Sequence, residues 1–246
     1  MLVVSKTHVG MVRPVNEDAL LTTGPKLFAI ADGMGGYAAG ETASTEALKV
    51  LQQEAAAFEG LTGNALNSAL QTAVQKANAH IRQMAQTEAQ YHDMGTTLVA
   101  LYLTGDGRAC AVNVGDSRLY SWADGALQQI TRDHSYVAEL VAKGEITPEE
   151  AFQHPKKNII LKAVGAEPQL DADVFSLQLV PQSKLLLCSD GLSDMVEDNQ
   201  IAAILQDNST EQAAELLLEA ALDNGGRDNI SLILIDLTPT EEVQRS

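Results

Sequence analysis

Two long helical patterns follow each other directly in this sequence, and that order restricts the folds open to the chain. Apolar residues recur at helical spacing over 41–57 and again over 64–88, with no strand pattern between them. A doubly wound α/β fold needs strands and helices to alternate, so this order argues against one. The sequence instead predicts an α+β fold, in which antiparallel sheets form a sandwich with helices on its outside.

Continuous or alternating apolar runs predict the strands of those sheets. They lie near 2–8, 26–31, 97–103, 108–114, 117–122, 173–180, 184–188 and 230–237. Further helical patterns cover 135–143, 198–206 and 210–222. Two helix starts carry their own signals, because 147–150 reads Thr-Pro-Glu-Glu, a capping box, and Ser209 with Gln212 forms another.

Nothing in the sequence resembles a linker, a repeat or a low-complexity segment. We therefore expect a single domain over 1–238. Residues 135–158 are polar and carry a short helix pair, which indicates a flap subdomain. The residues 239–246 are expected to form a short polar tail.

The composition excludes several classes of partner. The formal net charge of −17 argues against nucleic acid and anionic membranes. No apolar run approaches the about 20 residues that a membrane helix needs, and the apolar N-terminal stretch is too short for a signal peptide. We expect a cytoplasmic, monomeric protein with no membrane span.

Both cysteines lie inside apolar runs, where a free cysteine behaves as a small core residue. A cysteine-phosphatase loop built on Cys188 would need an arginine at position 194, which holds Asp194. Cys110 likewise lies within "RACAVNV". The sequence therefore predicts two core thiols and no catalytic cysteine.

Acidic residues stand at the ends of apolar runs in widely separated parts of the chain. They are Asp32 in "LFAIADGMGG", Asp116 in "NVGDSRLY", Asp190 in "KLLLCSDGLSD", Asp228 in "GGRDNISL", and Glu17 with Asp18 in "RPVNEDALL". Each one taken alone is also a favoured turn residue. However, several of these strands are too apolar to lie outside the core, so their ends are expected to converge.

Converging carboxylates repel one another and need cations or protons to coexist. Two charges about 4 Å apart cost ~4 kcal/mol at an effective dielectric of 20, a large part of a domain's stability. Oxygen ligands select Mg²⁺, Mn²⁺ or Ca²⁺. The sequence therefore predicts a binuclear hydrolytic centre in which Asp32 bridges two ions and the Gly33 carbonyl faces one of them. Gly35 and Gly36 would leave room for substrate, and the ions would let an anionic phosphate approach.

The ordered motifs of the chain also resemble those of a known family. They are "GMVRPVNEDAL", "IADGMGGYAAGE", "MGTTLVA", "NVGDSRLY", "TRDHS", "KKNIILKAVG", "LLLCSDGLSD" and "GGRDNISLILI". Together they are similar to the PPM, or PP2C-type, metal-dependent serine/threonine protein phosphatases in their compact bacterial form. The resemblance covers nearly the whole chain and implies a central sandwich of two antiparallel sheets flanked by helix pairs.

The resemblance implies a ligand set for three metal ions. The first ion matches Asp32, Asp190 and Asp228; the second matches Asp32, the Gly33 carbonyl, Glu17 and Asp18; a weaker third ion matches Asp116 and Asp190. The ions would be Mg²⁺ or Mn²⁺. By the same resemblance Arg13 grips the substrate phosphate, while Ser189 and Asn229 support the site from behind the ligands.

The implied reaction needs no protein nucleophile, and Asp32, Asp190 and Arg13 are its catalytic residues. A water or hydroxide that bridges two ions attacks phosphorus in line, which would release phosphate from phosphoserine or phosphothreonine in opposition to a bacterial kinase. One position departs from the family. Many members have a histidine after the Asp-Gly, a candidate general acid, where this chain has Met34. The acid is then unassigned, with a metal-bound water as the expected donor, and His134 is expected to be structural.

Three alternative assignments fit parts of the sequence less well. Residues 33–38 satisfy a loose G-x-G-x-x-A dinucleotide pattern, but a helix rather than a strand follows the first helix. A calcium loop starting at Asp223 lacks its glutamate, because the twelfth position is Leu234. The third alternative is a family member that has lost catalysis and only binds phosphoproteins; the retained acids and Arg13 argue against it.

Overall fold

The computed structural model describes residues 1–35 and 39–238, so the predicted tail and Gly36 lie outside the described residues. Its strands are β1 (Leu2–His8), β2 (Asp18–Thr23), β3 (Leu27–Met34), β4 (Gly95–Thr96), β5 (Leu98–Leu103), β6 (Arg108–Val114), β7 (Arg118–Ala123), β8 (Ala126–Gln129), β9 (Asp173–Gln178), β10 (Lys184–Cys188) and β11 (Ile230–Asp236). Its helices are α1 (Ala39–Glu54), α2 (Gly63–Thr87), α3 (Tyr136–Ala142), α4 (Pro148–Phe152), α5 (Asp190–Ser193), α6 (Asp198–Asp207) and α7 (Thr210–Asp223).

The strands form two antiparallel sheets, which confirms the predicted α+β sandwich. One sheet has the order β1-β11-β10-β7-β8, and the other has the order β2-β3-β5-β6-β9 with β4 paired to β3. Helices α1 and α2 follow each other in the chain, and no parallel strand pair occurs among the described ladders. The dinucleotide-fold alternative is therefore wrong.

Three apolar layers hold the elements together. Side chains such as Ile30, Leu119 and Ile233 fill the space between the sheets. Helices α1 and α2 pack on the sheet that contains β3, and helices α6 and α7 pack on the sheet that contains β11. Because the central strands β5, β10 and β11 are covered on both faces, their sequences are continuous apolar runs rather than alternating ones.

Several element boundaries differ from the sequence prediction for local reasons. The strand predicted at 26–31 continues to Met34, since Gly33 and Met34 pair with β4. The short strands β4 and β8 have too few apolar residues to be recognised alone. Helix α1 ends at Glu54, and the residues predicted to extend it tighten into a 3₁₀ turn over 55–58.

One of the two predicted capping boxes is confirmed, because Thr147 and Glu150 form both reciprocal bonds at the start of α4. At the start of α7 only half of the second box is present: the Ser209 hydroxyl accepts from the Gln212 N–H, without a return bond from the Gln212 side chain. Both cysteines are free and buried, and burial raises the pKa of Cys110 to about 11 and of Cys188 to about 12. Within 1–35 and 39–238, none of the helices combines the length and apolarity that a bilayer crossing requires.

The acidic motifs all lie at one end of the sandwich. Asp32 and Asp18 are direct partners across β3 and β2. Within the other sheet, Cys188 at the end of β10 pairs with Arg118 at the start of β7 and with Leu232 near the start of β11. The turn between β6 and β7 joins the two sheets there. Antiparallel pairing therefore brings strand ends from distant parts of the chain to a common edge.

Candidate metal centre

Asp32 and Asp18 form the centre of the site. As directly opposed residues of an antiparallel pair, they project from the same face of the sheet. Two hydrogen bonds to Thr97 hold the backbone of Asp32 on the side of β3 that faces away from β2. The Asp32 N–H donates to the Thr97 hydroxyl at 3.0 Å, and the Asp32 carbonyl accepts from the Thr97 N–H at 2.9 Å. The position of the Asp32 carboxylate is therefore set by backbone contacts rather than by its own side chain.

Gly33 is required by a close approach between β3 and the start of α1. A Cβ at this position would lie 2.0 Å from the Gly40 carbonyl oxygen, and the Gly33 N–H donates to the Glu17 carbonyl at 3.1 Å. Gly40 is equally confined, since its Cβ would lie 2.4 Å from Glu17 Oε1. Burial is the largest cause that raises the pKa of Glu17, and the backbone of Gly40 at the start of the helix is among the causes that oppose this rise.

Asp190 is the first residue of α5 and follows the buried strand β10 without a loop. Ser189, directly before it, donates its hydroxyl to Asp18 Oδ2 at 2.8 Å and accepts from the Ser231 N–H at 3.0 Å. Ser189 thus links β10, β11 and β2 behind the carboxylates. This contact supports the placement that the sequence predicts for Ser189.

Asn229 ties the N-terminal loop to the start of β11. Its Oδ1 accepts from the Glu17 N–H at 2.8 Å, and its Nδ2 donates to the Val9 and Val15 carbonyls, both at 2.9 Å. The same loop carries Arg13, whose Nη2 lies 2.6 Å from Asp228 Oδ2. The predicted phosphate-binding arginine therefore lies beside the predicted metal ligands, with a half-exposed side chain.

Asp116 lies in the turn between β6 and β7 and is buried. His134 clamps the preceding residue, because its N–H donates to the Gly115 carbonyl at 2.9 Å and its Nδ1 accepts from the Gly115 N–H at 3.1 Å. The prediction that His134 is structural agrees with these contacts. His134 also fixes the start of the flap to this turn.

Asp194 also lies at the site, although no motif of the sequence singled it out. Asp194 Oδ2 lies 3.1 Å from Lys157 Nζ in the flap, and that amine also donates to the Asp194 carbonyl at 2.9 Å. Asp194 raises the pKa of both Asp190 and Asp116. Its spacing could have revealed it, since in "SDGLSD" it follows Asp190 by one helical turn on the same face.

Burial and mutual repulsion raise the pKa values of these acids. Burial is the largest cause for Asp32, followed by the charges of Asp18, Asp190, Asp116 and Asp228. Burial raises the pKa of Asp18 to about 6 and, with help from Asp133 and Asp194, the pKa of Asp116 to about 7. The acids predicted to converge therefore lie within strong electrostatic reach of one another.

Four carboxylate oxygens at the site are buried without a hydrogen-bond partner among the described residues. They are Glu17 Oε1, Asp18 Oδ1, Asp116 Oδ1 and Asp190 Oδ1. A buried carboxylate without a partner is strongly unfavourable. Hard oxygen donors of this kind fit Mg²⁺ or Mn²⁺.

The donors form an open set rather than a closed cage. Among residues 1–35 and 39–238, no three acidic, histidine or cysteine side chains are already arranged to hold an ion together. Arg13 occupies one oxygen of Asp228, and each orphaned oxygen belongs to a different residue. Without a cation between them, the carboxylates repel each other and their oxygens lie apart. Water molecules also complete the coordination shell of a hard cation, so the protein need not supply every ligand. The ligand assignment stays a prediction.

We predict that Asp190→Asn stabilises the metal-free protein near neutral pH. The site acids have pKa values in the folded protein above the value of about 4 that they have in the unfolded chain. Their stabilising contribution to the free energy of unfolding is therefore present at low pH. It is lost as the pH rises through about 6 for Asp18 and about 7 for Asp116. In EDTA the free energy of unfolding should fall between pH 4 and 7, by up to about 1.4 kcal/mol per pH unit for each proton lost. Asp190→Asn removes one repelling charge and should raise the urea-unfolding free energy at pH 7.5 by about 1 kcal/mol.

Asp124→Asn is the matched control for that experiment. It makes the same chemical change in an exposed hairpin turn, where Asn tolerates the positive φ of 51° that Asp124 adopts. It should leave the pH profile unchanged. Equal profiles for wild type and Asp190→Asn would contradict a strained carboxylate cluster.

Comparison with known sequences bears on this geometry. A family model described as protein phosphatase 2C matches residues 11–224. The serine/threonine phosphatase stp of Listeria monocytogenes serotype 4b is 37% identical over 245 residues, which cover 96% of each chain. The serine/threonine protein phosphatase PstP of Mycobacterium tuberculosis (strain H37Rv) is 40% identical over 233 residues, covering 95% of this chain and 44% of that relative.

Solved structures agree with the sequence relatives. The crystal structure of the Mycobacterium tuberculosis phosphatase PstP/Ppp has a TM-score of 0.87 at 38% identity and covers 97% of this chain and 99% of that one. The catalytic domain of PstP in complex with two manganese ions has a TM-score of 0.86 at 36% identity, covering 97% and 98%. The resemblance inferred from the ordered motifs is confirmed. This chain belongs to the protein phosphatase 2C, or PPM, family of metal-dependent serine/threonine protein phosphatases.

Proposed function

We propose that this protein hydrolyses phosphoserine and phosphothreonine on other proteins at a binuclear Mg²⁺ or Mn²⁺ centre. The observation that carries the proposal is the cluster of buried carboxylates with unpartnered oxygens beside Arg13. Such a cluster lowers the stability of the metal-free fold and has its chemical use when divalent ions bind. The two manganese ions in the related PstP structure support the same reading.

We assign the ligands as the sequence predicts. Asp32, Asp190 and Asp228 hold one ion; Asp32, the Gly33 carbonyl, Glu17 and Asp18 serve the other. The cross-strand pair Asp32 and Asp18 and the link from Ser189 to Asp18 support this division. When bound, the ions supply an activated water and positive charge next to the phosphoryl group. The protein's part is to fix the backbone that carries these acids, so that small side-chain movements can bring their oxygens onto an ion.

Arg13 binds the substrate phosphate. Its guanidinium presents a planar fork of donors that matches two phosphate oxygens. One donor is engaged by Asp228 and the side chain is 49% exposed, so the remaining donors can meet a phosphate at the mouth of the site. Asp228 thereby orients the arginine that receives the substrate.

Asp116 and Asp190 hold a weaker third ion, and Asp194 adds negative charge beside them. A cavity of about 750 Å³ between the flap and α5–α6 is bordered by all three residues. Asp116 Oδ1 is among the unpartnered oxygens. Because one side of this cavity is formed by the flap, ion binding here is sensitive to the position of the flap.

The wider context is inferred from the family. Residues 1–238 act as one catalytic unit with a flap at 135–158, and a serine/threonine kinase supplies the phosphorylated substrates. Met34 has no proton to donate, so a water of the centre protonates the leaving oxygen. The cytoplasmic location and the monomeric state expected from the sequence stay predictions.

We expect Asp32→Ala to remove nearly all turnover. Wild type should hydrolyse p-nitrophenyl phosphate and a phosphothreonine peptide with Mn²⁺, and EDTA should abolish both activities. Since Asp32 bridges the two ions, its loss should lower kcat by about a thousandfold or more. Unchanged circular dichroism would show an intact fold. Asp124→Asn serves as the control and should retain full activity. A wild type that binds the phosphopeptide without hydrolysing it would instead favour a non-catalytic binding module.

Asp116→Ala should weaken the binding of the third ion and leave the binding of the other two unchanged. Activity is expected to fall by about tenfold or more because Asp116 acts at a weaker site. Elemental analysis after dialysis should still find the two tightly held ions. Loss of all bound Mn²⁺ together with activity would place Asp116 among the tight ligands and contradict this assignment.

Arg13→Ala should raise KM for phosphopeptides by about tenfold, because a charge-assisted bidentate contact with phosphate is lost. The Mn²⁺ affinity, measured by calorimetry, should change little. Arg13→Lys keeps the charge but not the fork and should recover only part of the loss. Unaltered phosphopeptide kinetics in Arg13→Ala would exclude the role in substrate binding.

A further inference from the structure

A groove leads from the candidate centre across the surface. It has a volume of about 900 Å³ and lies between the N-terminal loop, the flap and the segment that follows α7. Asp190 and Asp228 line it together with Arg13, so one end of the groove is the proposed reaction site. A substrate chain whose phosphate reaches Arg13 has to lie along this groove.

Three cationic side chains line the groove, and two of them are already paired with acids. Arg13 contacts Asp228 at 2.6 Å, and Lys157 contacts Asp194 at 3.1 Å. Arg227 is exposed and, within the part of the chain that the structure describes, has no carboxylate within ion-pair distance. Its guanidinium is therefore the groove cation that is free to meet a group from outside.

The backbone that carries Arg227 is held in a fixed position. The Met11 N–H donates to the Gly226 carbonyl at 2.7 Å, and Gly226 has a φ of 48°. On the other side of Arg227, a Cβ on Gly10 would lie 2.1 Å from the Asp228 carbonyl oxygen, so the two loops are in tight contact. Arg227 thus projects from a rigid point directly next to a proposed metal ligand.

In a protein with a large negative net charge, the unpaired Arg227 offers an anionic group of the substrate a local attraction. A chain with a net charge of −17 repels anionic substrates at long range, and salt screens that repulsion beyond about 8 Å. Inside that distance, a single unpaired guanidinium decides which neighbouring groups of the substrate are attracted. Its planar fork matches either a carboxylate or a phosphate.

We propose that Arg227 determines substrate specificity by binding a second anionic group of the substrate, near the phosphorylated residue. The inference rests on the proposed phosphatase function. Arg227 is the chain neighbour of Asp228, which contacts Arg13, and an extended chain advances about 3.3 Å per residue. We therefore place the group within about three residues of the phosphoserine or phosphothreonine. The group is a carboxylate side chain or a second phosphate.

The test uses phosphothreonine peptides that differ at one position. Each carries Ala, Glu or a second phosphothreonine at two or three residues on either side of the reacting residue. We expect wild type to turn over at least one anionic peptide with a kcat/KM about three- to tenfold above that of the Ala peptide. The Glu and phosphothreonine arms identify which anionic group is bound.

Substitutions at position 227 connect that preference to the arginine. Arg227→Ala should lose the preference while keeping wild-type kcat/KM for the Ala peptide and for p-nitrophenyl phosphate. Arg227→Glu should disfavour the anionic peptides relative to the Ala peptide. The control is Arg108→Ala, which removes the same charge from the hairpin turn at the opposite end of β6 and should keep the preference.

Two outcomes would overturn the inference, and they differ from each other. If wild type hydrolyses all peptides equally well, or if Arg227→Ala keeps the preference, the assignment of Arg227 fails and the phosphatase function stands. If wild type with Mn²⁺ hydrolyses none of the peptides, the proposed function fails and this inference fails with it.

Discussion

Burial of carboxylates that also repel one another is the constraint on which the rest of this structure depends. Asp18, Asp32, Asp116 and Asp190 lie where water is largely excluded. After burial, the charges of the other three are among the causes that raise the pKa of Asp32. A fold that holds them together without cations stores unfavourable electrostatic energy. That energy is offset elsewhere, by the apolar layers between the sheets and under the helices.

The contacts around the acids explain how the cluster keeps its shape. Ser189 hydrogen-bonds to Asp18 and Ser231, and Asn229 hydrogen-bonds to three residues of the N-terminal loop. Thr97 fixes the backbone of Asp32 from the adjoining segment. Glycines at 33, 40 and 191 let backbone segments approach more closely than any side chain would allow. The backbone that carries the acids is therefore held in a rigid frame, while their side-chain oxygens form an open set that an ion would have to draw together.

Cations are arranged around the acids. Arg13 lies on Asp228 and Lys157 on Asp194, so the flap and the N-terminal loop are each connected to the cluster by an ion pair. The contact of Lys157 with Asp194 joins the flap to the body of the protein beside the proposed third ion. Arg227, unpaired among the described residues, extends the same pattern outward along the groove. Arginine and lysine side chains thus stand at the edge of the acidic centre, where an anionic substrate would approach bound cations.

The sequence by itself determined the α+β class, the helices on the outside of the sandwich and most of the acids that the structure gathers at one end of it. Apolar period and helix order are local properties, and acids after apolar runs such as those at Asp32 and Asp190 can be read without knowing the fold. Tertiary structure alone decided which partners meet. The contact between Arg13 and Asp228 spans 215 positions, and the contact between Lys157 and Asp194 depends on where the flap packs. Short strands such as β4 were also missed, because a two-residue strand is defined by its neighbour and not by its own residues. Pairing of this kind follows from sheet register and packing, which no local pattern encodes.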